Sequence, residues 1–367
     1  MGRILGVEVG FNWTLVFFCG LVAWTLATEV LPKDLPGYPA LLYWLVGAAG
    51  AVVFVGCLLA HELSHAVVAR RNGVKVSGIS LWLFGGVARL DGEPSSAKAE
   101  ALIAGVGPLT SLVVAAVALG IAFVAQPNAL LSDLFVWLTL VNVALALFNL
   151  VPAFPLDGGR LLSAFLWWRA GSRQRGVHLA VRVGRVFAYL IIAGGVVEAV
   201  LGLPIINAIW LAFIGLFLLS AGASEETGTA VRALLRSVPV SAAMSSPVVT
   251  LPDWVTVEQF LESVAPSHPF TTYPVHDPSG RLTGVVRLGD LVRLGRDERS
   301  TRHLSEVARP IANVPTTAPT EDLSGMVQRV GAAIEQRVLV FDNGQLVGIV
   351  SPADVTRVLA LRQAKSL

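Results

Sequence analysis

Apolar residues gather in six long stretches over the first part of the chain, roughly residues 11–31, 41–69, 99–125, 130–151, 178–201 and 203–220. Crossing a hydrocarbon layer of ~30 Å takes about 20 helical residues, so each stretch predicts a membrane-spanning helix. The last two meet at the tight turn Gly202-Leu203-Pro204. Two connections break the pattern. Residues 72–90 read NGVKVSGISLWLFGGVARL, β-branched and aromatic with glycines at intervals, which predicts hairpin strands. The segment is too apolar for a solvated loop, and lipid cannot accept open strand edges, so a hairpin dipping into the protein's own interior is expected. Residues 152–160, PAFPLDGGR, stop a helix just after Asn149.

Beyond Ser220 the pattern changes. Residues 221–229, AGASEETGT, read as a polar linker. Then Gly284-Val285-Val286-Arg287-Leu288-Gly289-Asp290-Leu291 matches Gly348-Ile349-Val350-Ser351-Pro352-Ala353-Asp354-Val355 at an offset of 64. Each copy carries an upstream strand-like run, at residues 273–276 and 338–341, and a Pro-punctuated start. The predicted fold is a polytopic α-helical membrane protein, about six transmembrane helices with a re-entrant β-hairpin, followed by a tandem α/β module. Its expected divisions are residues 1–222 in the membrane, 223–236 as linker, and 237–300 and 301–367 as the two repeats.

Composition agrees. Of 367 residues 54% are hydrophobic and only 14% charged, against about 25% charged in a soluble domain. Residues 1–223 hold 13 Lys+Arg and 10 Asp+Glu; the much shorter remainder holds 14 and 15. That excludes an ordinary globular enzyme, a disordered chain and a nucleic-acid partner, and makes the lipid bilayer the expected surroundings. Cys19 and Cys57 both lie in apolar runs, so no disulfide framework is expected. The first apolar run is too long for a cleavable signal core. Basic residues cluster at Arg3, at Arg70, Arg71, Lys75, Arg89 and Lys98, and from Arg160 to Arg185, while the alternate loops carry only Lys33. The positive-inside rule then predicts a multi-pass cell-membrane protein with the N-terminus and the repeat module both cytoplasmic.

Against this oily background one motif stands out, His61-Glu62-Leu63-Ser64-His65. Residues four apart share a helix face, so both imidazoles can reach one metal ion with Glu62 beside it. Zinc suits such donors, and a glutamate there can take and return the proton of a water molecule. The motif falls near the cytoplasmic end of the second span, where ionisable groups are costly and functional by default. The alternative is a helix end whose histidines reach the interface. A third ligand is needed. Asp157, in Leu156-Asp157-Gly158-Gly159-Arg160, lies on the same side, and its glycines would permit close approach. It could instead cap a helix starting near Arg160. The rival carboxylate, Glu198, sits near the outer end of the fifth span.

These residues carry a resemblance. HELSH in the second span, with Asn149-Leu150-Val151-Pro152 leading into Pro155-Leu156-Asp157-Gly158-Gly159-Arg160, resembles the site-2 protease family of intramembrane zinc metalloproteases, in the compact subgroup lacking a PDZ-like insertion. The resemblance implies zinc on His61, His65 and Asp157, Glu62 as general base, and Asn149 as a substrate or oxyanion contact; a polar cap on the broken helix is the other reading of Asn149. SLWLFGGVAR at residues 80–89 resembles the family's re-entrant hairpin, which receives an unwound substrate strand. Gly105-Val106-Gly107-Pro108 resembles a further family signature, expected here to pack helices closely.

The C-terminal repeat is similar to a tandem pair of cystathionine-β-synthase (CBS) domains, which implies an adenine nucleotide such as ATP or AMP, or else a structural or homodimerising module. The family's Ser/Thr three residues before an Asp fits Ser351 and Asp354; at the first copy Arg287 stands where the hydroxyl belongs, and Asp290 reads as a helix cap. Together the resemblances imply a zinc metalloendopeptidase acting on transmembrane or juxtamembrane segments of membrane-bound regulators, of the anti-sigma or pro-sigma factor class, modulated by the CBS pair. The competing readings are a CBS-regulated transporter, which would need coordinating charges at midplane, and a catalytically inactive relative that only binds membrane proteins.

Overall fold

The computed structural model describes residues 2–4, 7–82, 85–268, 270–330 and 337–366. It divides into two compact units, Met1–Ala230 and Val231–Leu367. Among the described residues six helices are long and apolar enough to cross a membrane: Thr14–Asp34, Ala40–Arg71, Ala97–Val124, Ala129–Asn149, Arg173–Val200 and Ile205–Leu235. The first comprises α1 (Thr14–Thr25), a π-helical turn at Leu26–Val30 and a last turn Leu31–Asp34. The others are α2 (Ala40–Arg71), α3 (Ala97–Val124), α4 (Ala129–Asn149), α6 (Arg173–Val200) and α7 (Ile205–Leu235), with a shorter α5 (Asp157–Ala170) before α6.

Polar residues mark two of the starts. Ser96 Oγ accepts from the amide of Ala99 at 3.2 Å, and Asn128 Oδ1 from that of Leu131 at 3.2 Å, each supplying an acceptor to an orphan N–H. Lipid provides no hydrophobic drive between helices, so close approach through small residues takes its place. A side chain at Gly47 of α2 would come within 2.8 Å of the Ala23 carbonyl of α1, and one at Gly176 of α6 within 2.7 Å of the Ser163 carbonyl of α5.

The expected hairpin is present as β3 (Lys75–Trp82) and β4 (Gly85–Asp91), paired antiparallel from Lys75 opposite Asp91 to Trp82 opposite Gly85. Leu83 and Phe84 lie outside the described residues. Two strands that the sequence pattern did not disclose join it, β1 (Gly2–Ile4) and β2 (Val7–Phe11), giving the order β1-β2-β3-β4 with β2 parallel to β3. Val7, Ile79 and Leu81 bury a common face against Leu15 of α1 and Ala66 of α2, the period-2 pattern of a half-buried sheet. Phe11, read as the first residue of a span, ends β2 instead.

Residues 223–236, expected as a linker, continue α7 as helix to Leu235. Their Glu, Ala, Arg and Leu content favours helix, and no proline interrupts it, so the change in polarity marks a change of solvent rather than of backbone. Arg185 donates to Glu226 Oε2 at 2.6 Å, and His178 pairs with Glu226 Oε1, fastening this extension to α6.

Among its described residues the second unit holds two sheets. One runs β5 (Leu251–Pro252), β6 (Thr272–His276), β7 (Leu282–Arg287), β8 (Arg309–Pro310); the other runs β11 (Gln345–Val350), β10 (Val338–Asp342), β9 (Thr316–Thr317). A helix α8 (Leu323–Val330) and a terminal helix α9 (Pro352–Ser366) belong to the second. The hairpins β6–β7 and β10–β11 are the two copies read from the sequence. The expected boundary at residue 300 is not where the cores divide. Val238, Val240 and Ala243 pack with Leu323, Met326 and Val338, whereas Leu304 packs with Val257, Phe260 and Tyr273. Each copy therefore contributes its leading segment to the other's core, an exchange that a repeat read by similarity alone cannot reveal.

Candidate metal centre

The centre is built on α2, a helix of 32 residues. His61 lies ~32 Å along it from Ala40 and ~15 Å short of Arg71, at a rise of 1.5 Å per residue. His61 and His65 are both buried and their rings stand edge to face, centroids 4.9 Å apart. Asp157 arrives from the other side as the first residue of α5, preceded by Leu156, which makes no side-chain cap. The sequence allowed Asp157 to cap a helix starting near Arg160; the helix in fact begins at Asp157 and the carboxylate turns away to the histidines. The two glycines after it explain how. A Cβ on Gly158 would lie 2.2 Å from the Leu150 carbonyl oxygen, and one on Gly159 2.6 Å from the Ala153 carbonyl carbon, so only glycine lets this turn close on the end of α4.

The three candidate ligand atoms form a nearly equilateral triangle. Asp157 Oδ2 is 3.3 Å from His61 Nε2 and 3.2 Å from His65 Nε2, and the two Nε2 atoms are 3.2 Å apart. Tetrahedral zinc with bonds of ~2.0–2.1 Å separates its ligand atoms by roughly 3.3 Å, so the triangle matches one face of that tetrahedron and leaves the fourth corner open. Protonation points the same way. His65 Nδ1 is 2.6 Å from the Ile103 carbonyl, which can only accept, so the proton sits on Nδ1 and Nε2 presents a lone pair. Among the described residues Asp157 Oδ2 is buried without a hydrogen-bond partner. Lone pairs facing one another at this distance fit a shared cation, and the N₂O donor set suits zinc.

Helix α3 forms the wall behind the histidines. A Cβ on Gly107 would meet His65 Nε2 at 2.2 Å and His61 Nε2 at 2.6 Å, so the glycine expected to serve helix packing makes room for the imidazoles. Ser111 Oγ lies 2.9 Å from His61 Nδ1. Above Glu62 runs β4, the edge strand of the sheet: a Cβ on Gly86 would lie 2.2 Å from Glu62 Cγ and 2.7 Å from its Cδ. Glu62 therefore lies directly beneath an edge strand. Neither Ile103 nor Ser111 was identified from the sequence, and Gly86 entered only within the hairpin segment 80–89. For Ser111 a signal existed, a small polar residue in an apolar helix; for the Ile103 carbonyl there was none.

Outside this group, the Asn149 amide donates to the Leu145 carbonyl at 3.0 Å, a partner within its own helix. Glu198 Oε2, on α6, is buried without a hydrogen-bond partner among the described residues, and Glu198 is not part of the His61–His65–Asp157 group. In the second unit Asp354 Oδ2 accepts from the Ser351 amide at 2.9 Å and the Ser351 hydroxyl at 2.5 Å, while Oδ1 accepts from Ser245 Oγ at 3.1 Å. This reciprocal capping opens α9.

Apolar helices enclosing a His-His-carboxylate metal centre with a glutamate at its side define a membrane metallopeptidase. Residues 49–133 and 124–192 match the family described as Peptidase family M50. The chain is 43% identical over 364 residues to Rip3 of Mycobacterium tuberculosis, a zinc metalloprotease by name, covering 98% of this chain and 92% of that protein. It is 28% identical over 364 residues to the zinc metalloprotease MJ0392 of Methanocaldococcus jannaschii, covering 99% and 96%. The chain belongs to peptidase family M50 and is a site-2 protease-like zinc metalloprotease. The solved site-2 protease from Methanocaldococcus jannaschii aligns at a TM-score of 0.41 and 27% identity, over 62% of this chain and 94% of that one. The CBS domain of a bacterial CNNM/CorC family Mg2+ transporter aligns at 0.32 and 20% identity, over 37% and 82%.

Proposed function

We propose that this protease hydrolyses peptide bonds within or beside transmembrane segments of membrane-bound regulatory proteins, with anti-sigma and pro-sigma factors as the substrate class, and that its N-terminus and CBS-like module face the cytoplasm. The observation that carries the reading is the ligand triangle of His61, His65 and Asp157 with Glu62 beside it on a membrane helix. Zinc bound there supplies Lewis acidity towards a carbonyl oxygen and acidifies water. Glu62 takes the proton of the attacking water and delivers it to the departing amide nitrogen, leaving an amine and a carboxylic acid that then ionises. Peptide bonds in a helix are shielded by their own hydrogen bonds. The edge strand β4, lying against Glu62 at Gly86, offers backbone partners to an unwound substrate segment, and strand addition would set that segment beside the proton carrier. The second amide proton of Asn149 is available for a developing oxyanion.

For regulation, an adenine nucleotide is the ligand at the second CBS repeat. Its ribose would have to exchange with the Ser351 hydroxyl–Asp354 hydrogen bond. ATP or AMP titrated onto the full chain should bind saturably, and no saturation at millimolar nucleotide would remove this part of the reading. The substrate is sought by comparing membranes holding the wild-type protein with membranes holding Glu62→Gln. A single-pass regulator that accumulates uncut with the variant supports the proposal; an unchanged membrane proteome argues against it.

A further inference from the structure

We infer that Ser111 is a positioning residue for zinc, setting the proton and the orientation of His61. The inference rests on the reading of His61, His65 and Asp157 as the metal ligands. On α3, Ile103, Gly107 and Ser111 are spaced four apart and fall on one stripe; on α2, His61 and His65 do the same. The two stripes meet in register. The Ile103 carbonyl holds His65 Nδ1 at 2.6 Å, Gly107 leaves space for both rings, and Ser111 Oγ holds His61 Nδ1 at 2.9 Å. Each imidazole is thus held by its far nitrogen with Nε2 turned to Asp157.

The two holds differ chemically. A main-chain carbonyl only accepts, so it fixes the tautomer of His65 whatever the side chain at residue 103. A hydroxyl accepts or donates. When Ser111 accepts, His61 carries its proton on Nδ1 and Nε2 is free to bind zinc. When it donates, neutral His61 carries the proton on Nε2, which then faces Asp157 Oδ2 at 3.3 Å and cannot take the metal. Of the two histidines, His61 is the one whose readiness for zinc depends on a side chain. The neighbouring hydroxyl shows the ordinary alternative: Thr110 Oγ1 donates to the Val106 carbonyl one turn back, at 2.8 Å. Ser111, 1% exposed in an apolar helix, reaches across to α2 instead.

The test is zinc affinity of the full chain in detergent, measured by competition with a chelator, together with thermal unfolding of the zinc-free protein. Groups that orient metal-binding histidines typically change affinity by about 10–100-fold. Ser111→Ala should weaken zinc by that factor while the zinc-free protein still unfolds cooperatively, and Ser111→Thr, which keeps the hydroxyl, should restore binding. Wild-type affinity in Ser111→Ala overturns the inference. Equal weakening in both variants also overturns it, since packing would then be the cause. A wild-type protein that takes up no zinc overturns the metal-centre reading itself, which separates the two failures.

Discussion

At the scale of single residues, the candidate centre crowds two imidazoles and a carboxylate into a triangle whose sides are 3.2–3.3 Å. Asp157 is the one carboxylate of the candidate ligand triangle, so Asp157→Ala should lower zinc affinity by at least the 10–100-fold typical of supporting groups; chelator competition measures it, and unchanged affinity would remove Asp157 from the ligand set. Gly107→Ala tests the mould rather than the ligands. Its methyl would meet His65 Nε2 at 2.2 Å on a helix backbone that cannot retreat, so zinc content should fall while helical circular dichroism is retained. His61, Glu62 and His65 stood out in the sequence because ionisable groups are scarce in apolar runs and their spacing has a chemical meaning, whereas Asp157 stayed open between ligand and helix cap until the family resemblance favoured the ligand. Ser111 and the Ile103 carbonyl did not stand out, because their roles depend on the register between two helices, which no single-chain pattern records.

At the scale of elements, β4 and α7 carry the expectations. Gly86 lies on Glu62, and misplacing a reacting group by ~1 Å can cost about 100-fold in rate. Gly86→Ala should therefore depress turnover of a membrane-reconstituted substrate strongly while zinc stays bound; zinc loss in parallel would contradict the contact as described. Arg173 gathers three carboxylates, Glu93 at 2.8 Å, Glu100 at 3.2 Å and Glu225 at 3.9 Å, and so joins the starts of α3 and α6 to the extension of α7. Glu100 is 2% exposed. Removing its partner leaves a buried charge uncompensated, which typically costs about 3–5 kcal/mol, so Arg173→Met should lower thermal stability clearly. The hairpin was readable from its β-branched composition, and the spans from their length. Strands β1 and β2 were too short to show a period, and the extension of α7 was mistaken for a linker because polarity was read as a break in the backbone.

At the scale of the whole molecule, the repeat was visible as similarity at an offset of 64, but not the exchange of leading segments between its two cores. Acid stability gives access to the second unit. Burial alone would raise the Glu321 carboxyl, but hydrogen bonds from Thr317 at 2.6 Å and Arg329 at 2.7 Å outweigh it and hold the group below the ordinary glutamate value. The stability it contributes is complete above that ordinary value and is lost as pH falls through the depressed folded value. Glu321→Gln should flatten the acid limb of unfolding there, and an unchanged limb would contradict this.

The most direct measurement is cleavage of a single-pass membrane substrate by the full chain in lipid vesicles, wild type beside Glu62→Gln, with the zinc content of both determined on the same preparations. One zinc per chain in each, with cleavage by the wild type alone, is the predicted result. Cleavage by Glu62→Gln at the wild-type rate, or by wild-type protein that carries no zinc, would contradict it.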